Sequence, residues 1–225
     1  VSSAVGANTP ARSLSPDTRF LVPRPNQAGV QQAVSLLRAR QVRNALLVGA
    51  LLAKPHAVWV TKGTPTDARN AVRSAVVLAD FERAVPVLVA YDIPGRDCGG
   101  DSTGGAGSPD AYRDWISAFA DGIGGKPAIV VIEPDALAQL DCLPGDARQT
   151  RIDLLKFAAT QFAQKAPNTW AYLDGGNAGW VAADVMARVV GQHMSTILGQ
   201  QLFVENQGGA GGTIGARAAA QAEPD

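Results

Sequence analysis

The chain has 225 residues, 46% hydrophobic and 18% charged, which is enough to bury a core and too apolar for global disorder. Twenty Lys and Arg offset twenty Asp and Glu. That balance argues against nucleic acid, whose binding rests on neutralised phosphates, and against a polybasic membrane anchor. No apolar run approaches the roughly 20 residues of a membrane span, and two His with two Cys are too few for a CxxC-type zinc site, so neither a metal nor a cofactor is expected.

Residues 1–18 are small, polar and rich in Pro and Ser. They lack the basic start and apolar stretch of a signal peptide and read as a linker or a mature N-terminal tail. Beyond them strand and helix alternate. Residues 19–22 (RFLV) form a short strand candidate and residues 27–40 carry apolar side chains at helical spacing. HAVWV (56–60) reads as a strand, followed by a helix over about 65–80 with proline in its first turn. VPVLVAYDI (85–93) reads as a buried strand, and Ser108-Pro109-Asp110 opens a helix to about Gly122. KPAIVVI (126–132) is another apolar strand, residues 145–166 a helix, and WAYL (170–173) a strand after it. Continuous apolar strands separated by helices predict an α/β fold around a parallel sheet, with five strands.

Three of these strands end in carboxylates: YDIPGRDC (91–98), IEPD (132–135) and LDGGN (173–177). In α/β barrels the C-terminal strand ends form the active-site face, so the acids would converge on one mouth. Aspartates at strand ends also commonly cap helices or make turns, which is the ordinary explanation for any one of them. Three together, with the glycine-rich GGDSTGG run (99–105) between the first two, point to acid/base hydrolysis, with glycoside cleavage the leading case. That loop lacks the GKS/T ending and the GxGxxG pattern of a phosphate cradle. Cys98 and Cys142 are either two separate buried thiols or a disulfide closing a loop of about 45 residues.

YDIPGRDC, VIEPDAL (131–137) and LDGGNAGW (173–180) resemble the N-terminal signatures of glycoside hydrolase family six, the endoglucanases and cellobiohydrolases of β-1,4-glucan. The resemblance implies a parallel-stranded barrel of that family's type, here incomplete. It implies hydrolysis of β-1,4-glucosidic bonds in cellulose or related β-glucan with inversion, and a cello-oligosaccharide substrate. Asp135 falls where the family has its general acid. Asp97 falls where a second aspartate helps keep that acid protonated. Tyr91 matches a tyrosine that crowds the distorted sugar, Arg96 flanks the acids, and Ser102 lies in the loop that helps hold the attacking water. Trp59 aligns with a sugar-stacking tryptophan, although a core tryptophan is the ordinary reading, and Asn177 and Trp180 close the third signature beside the cleft. Cys98 and Cys142 match a family disulfide, which implies a secreted, extracellular protein. Two departures stand out. Asn177 replaces the family's usual histidine, and the later Lys-x-x-Gly-Glu-x-Asp region, whose aspartate is the usual candidate base, does not occur in this sequence.

After Trp180, LGQQLFVENQGGAGGTIGA (198–216) resembles part of the tricarboxylate-type periplasmic solute-binding proteins, implying a short αβα C-terminal addition. The expected organisation is therefore a tail (1–18), a truncated glucanase-like α/β domain (19–180) and a solute-binding-protein-like segment (181–225). A non-catalytic glucan-binding half-barrel and a carboxylate-binding transport component are the alternatives to a glucan hydrolase.

Overall fold

The computed structural model describes residues 14–176, 179–182 and 184–188. Residues 18–175 form one compact unit, and the chain outside them belongs to a second. The first unit opens with a helical hairpin, α1 (Gln27–Arg38) and α2 (Val42–Leu52). Asn26 starts α1 by accepting the Gly29 N–H at 2.7 Å, satisfying one of the orphan donors of the first turn. Sequence reasoning misses α2. Its apolar residues run almost continuously, Gln41 before it makes no side-chain cap, and only Ala45 is buried, so neither a buried face nor a start signal marks it.

Four strands follow with a helix after each of the first three: β1 (Val58–Val60), α3 (Pro65–Glu82), β2 (Val87–Ala90), α4 (Pro109–Ile123), β3 (Ala128–Ile132), α5 (Gly145–Lys165) and β4 (Thr169–Leu173). The strands pair in parallel in the order β1-β2-β3-β4. Parallel crossovers are right-handed, so a sheet whose order never reverses carries its helices on one face. α3 packs on α4 and α4 on α5 accordingly. The start signals are local. Thr64 and Asp67 form a reciprocal capping box at α3, with Pro65 in its first turn, and Ser108 accepts the Ala111 N–H at 3.1 Å to open α4.

The expected fifth strand is reduced to a single bridge. Phe20 pairs with Val85, and the chain turns away before a strand can form. The sheet is open, with β1 and β4 each paired on one side only among the described residues. Its helix-covered side holds the core. Ala128, Val130 and Ile132 of β3 are buried, while the alternating Ile129 and Val131 are half-buried. Trp115 and Phe119 of α4 and Phe162 of α5 pack ring against ring at 5.6 and 5.8 Å. Of the expected C-terminal addition, residues 184–188 are helical, residues 181 and 182 lie outside any helix or strand, and residues 183 and 189–225 lie outside the described residues.

Candidate active site

The acids sit where parallel strands end. β2 runs into Tyr91 and the 92–97 loop, β3 into Glu133 and Asp135, and β4 into Asp174. Asp97 and Asp135 both take left-handed backbone conformations, φ 59° and 69°, and bulky L-residues adopt these only when their surroundings impose them. The Asp135 N–H donates to Asp174 Oδ2 at 2.7 Å, tying the β3 and β4 ends together. Asp97 is held from two sides: Ser102 N–H donates to its Oδ2 at 2.6 Å and Gln139 Nε2 to its Oδ1 at 3.3 Å. Ser102 thus meets Asp97 through its backbone. Gly100 also presses on this carboxylate, since a Cβ there would lie 2.7 Å from Asp97 Oδ2.

Asp135 is the raised carboxyl that the other two strand-end aspartates act on. Loss of water pushes its carboxyl above the usual range, and the charges of Asp174 and then Asp97 push it further. Tyr91 is raised too, first by burial and then by Asp97 and Asp135, so the tyrosine shares a field with both acids. Its ring meets Trp59 edge to face at 5.5 Å. Trp59 is 54% exposed, so it is no core tryptophan.

Arg96 does not reach either of these acids. Its guanidinium lies 4.8 Å from the Tyr91 ring centroid, donates to the backbone oxygens of Thr61, Tyr91 and Ser102, and pairs with Asp92 at 3.6 Å. It therefore fastens the loop across the strand ends. The loop beyond it closes at Gly105, where φ is +100° and a Cβ would fall 2.0 Å from the Ile93 carbonyl oxygen, a position only glycine can occupy. Asn177 lies outside the described residues. Trp180 is exposed and belongs to the second unit.

Cys98 and Cys142 form a disulfide, joining the Asp97 loop to the turn after β3. The 44-residue separation makes the bond worth about 4 kcal/mol on the chain-entropy model. Urea unfolding with and without reductant should differ by about that amount; less than about 1 kcal/mol would show that the bond contributes little to stability.

Sequence reasoning assigns no individual role to four groups of the site. Asp174 and Gln139 stand beside Asp135 and Asp97, and Glu133 and Arg151 lie buried beneath the Asp97 loop. Asp174 and Glu133 had a signal, as carboxylates at strand ends. Gln139 and Arg151 are polar residues within helical turns, without any local pattern to mark them.

Acids gathered at the C-terminal ends of a parallel sheet stand where α/β-barrel enzymes place their active sites. Residues 15–206 match the family model described as glycosyl hydrolases family 6, and the chain belongs to that family. Endoglucanase 1 of Streptomyces halstedii is 50% identical over 111 residues, covering 49% of this chain and 35% of that protein. The solved endoglucanase Cel6 of Mycobacterium tuberculosis, in complex with methyl-cellobiosyl-4-deoxy-4-thio-β-D-cellobioside, superposes with a TM-score of 0.69 at 32% identity, covering 79% of this chain and 59% of that one. A shorter match, 58% identical over 43 residues, is to the "UPF0065 protein in the TAR-I ttuE-ttuC' intergenic region" of Agrobacterium vitis and covers 19% of this chain and 12% of that protein. The chain spans 35% and 41% of the length of the first two curated endoglucanases it matches.

Proposed function

We propose that the chain hydrolyses β-1,4-glucosidic bonds with inversion of configuration, with Asp135 as general acid. The observation that carries this reading is the half-buried Asp135 carboxyl, raised by desolvation and by the carboxylates of Asp174 and Asp97. An acid that holds its proton to higher pH than an ordinary carboxyl is better placed to deliver it to a departing glycosidic oxygen. Asp97, fixed by the Ser102 N–H and the Gln139 amide, supplies part of the field that keeps Asp135 protonated. It also offers an acceptor for a proton leaving water. Trp59 offers a pyranose an exposed apolar surface at the same strand ends, with the buried Tyr91 ring packed against it. The relatives' endoglucanase names and the thio-cellobioside bound by the solved neighbour support β-glucan as substrate.

The test is the anomer first formed from a soluble cello-oligosaccharide, read by NMR before mutarotation. Inversion yields the α-anomer. A β-anomer would refute the mechanism, and an inactive parent protein that still binds the oligosaccharide would favour a glucan-binding half-barrel.

We also infer secretion, because the disulfide suits an oxidising compartment. Residues 181–225 we read as a solute-binding-protein-like addition after a glucanase-like domain over 19–180. The 43-residue match is short enough to fall wholly within that addition, while the family match extends to residue 206. Calorimetric titration with citrate tests whether the addition retains carboxylate binding; no heat of binding would leave it a relic.

A further inference from the structure

A few residues before Asp97, four consecutive residues of one loop are gripped by two buried polar side chains, one a carboxyl and the other a guanidinium. Glu133, at the end of β3 and 1% exposed, accepts the Asp92 N–H at 3.1 and 2.9 Å on its two oxygens and the Ile93 N–H at 2.9 Å. Arg151, from the second turn of α5 and 2% exposed, donates through Nη2 to the Pro94 oxygen at 2.9 Å and the Gly95 oxygen at 2.8 Å. One side chain takes the donors of the loop and the other takes its acceptors.

We propose that Glu133 and Arg151 are positioning residues for Asp97, acting as a two-sided clamp that fixes the 92–95 backbone from beneath. This rests on the reading of Asp97 as part of the hydrolytic site.

Packing alone does not call for two buried ionisable side chains, since taking such groups out of water costs free energy that apolar side chains of similar volume do not. The Nη1 of Arg151 has no hydrogen-bond partner among the described residues, which is a further cost. What the pair supplies is direction. Every polar contact it makes with the loop is to backbone, at residues two to five places before Asp97. Glu133 also stands two residues before Asp135, so one side chain ties the strand end bearing the acid to the loop bearing its neighbour. A displacement of about 1 Å at a reacting group can reduce rates about 100-fold, and a loop with left-handed backbone at both Asp97 and Cys98 needs such support.

The experiment compares the full chain with E133Q, R151K and the double variant. Glutamine keeps one acceptor and loses the second. Lysine keeps the charge and loses the fork that spans two carbonyls. In variants folded by circular dichroism at the assay temperature, kcat on a soluble cello-oligosaccharide should fall at least about 10-fold with KM within about twofold. The double variant should fall by less than the product of the two, because both act on one loop. Amide exchange at residues 92, 93 and 96 should speed up in each variant while the β3 amides stay protected. Unchanged kcat in folded variants, or a loss confined to KM, overturns the proposal. If R151K does not fold, the same readouts on E133Q decide. If the parent lacks glucanase activity, the hydrolytic reading fails and the clamp is judged on exchange alone, where unchanged protection at 92 and 93 overturns it.

Discussion

Asp135→Asn should lower turnover of a soluble cello-oligosaccharide by about 10²- to 10⁴-fold, the usual cost of removing a general acid, and by the upper part of that range when the leaving group is an unactivated sugar. The substitution keeps size and shape, and the Asp135 N–H still reaches Asp174 at 2.7 Å, so the fold should be retained. Substrates with acidic phenol leaving groups need little protonation and should lose far less. The neighbouring acids act by sign. Asp174 and Asp97 both raise the Asp135 carboxyl, Asp174 more strongly. Neutralising either one lowers it, so the proton is lost at a lower pH. The alkaline limb of the rate profile should therefore move acidward in Asp174→Asn, and by less in Asp97→Asn. Undiminished activity in Asp135→Asn, or an alkaline limb that moves upward in Asp174→Asn, would overturn these assignments.

Stability should fall by several kcal/mol between pH 5 and pH 8. Burial raises Glu133 to about 8 from an ordinary 4.5, against the three contacts it receives from the Asp92 and Ile93 amides. Burial likewise raises Asp92 to about 6, with Arg96 opposing. In both cases the folded chain binds a proton that the unfolded chain has already released. The contribution is complete below the unfolded values near 4 and is lost as pH rises through the folded ones. Each unit of raised pKa is worth about 1.4 kcal/mol, and Glu133, with the larger rise, should contribute most of the slope. Urea midpoints measured at pH 5, 6.5 and 8 should decline. E133Q, which cannot ionise, should flatten most of that slope. A stability that is level or rising across this range, or a slope unchanged in E133Q, would show that Glu133 does not titrate as proposed. The Tyr112 hydroxyl, buried against Glu133 and likewise raised, stays neutral throughout.

Much of this architecture is written locally. The capping box at Thr64, the Ser108-Pro109 start and the apolar runs before Tyr91 and Glu133 each mark an element by a short-range cause, and the structure starts or ends its elements within a few residues of those marks. The strands come out shorter than the apolar runs because the runs continue into the loops that carry Tyr91 and Ile93, both buried outside the sheet. The RFLV run has strand composition, yet a strand needs a neighbour along its length, and only Phe20 finds one. The site divides the same way. Asp97, Asp135 and Tyr91 are visible because they end apolar strands in quotable motifs. Gln139 and Arg151 are not, because what recruits them is a loop 42 to 57 residues earlier in the chain, and separations of that size leave no periodic trace. Arg96 flanks the acids in the sequence, and only the fold shows that its guanidinium is occupied by carbonyl oxygens and Asp92.

The α1–α2 hairpin carries its apolar side chains outward. Leu46, Leu47 and Leu51 are 60–71% exposed, and the two helices pack chiefly on each other. With so little buried against the sheet, the hairpin can detach at a free energy far below that of global unfolding. Limited proteolysis under native conditions should therefore cut first within residues 27–52, leaving a resistant fragment that begins near β1. The same leucines are exposed apolar side chains on one helix, and such surface favours self-association, so the protein should precipitate as salt rises. Glutamate at positions 46, 47 and 51, where no core contact is lost, should raise its solubility without altering the site.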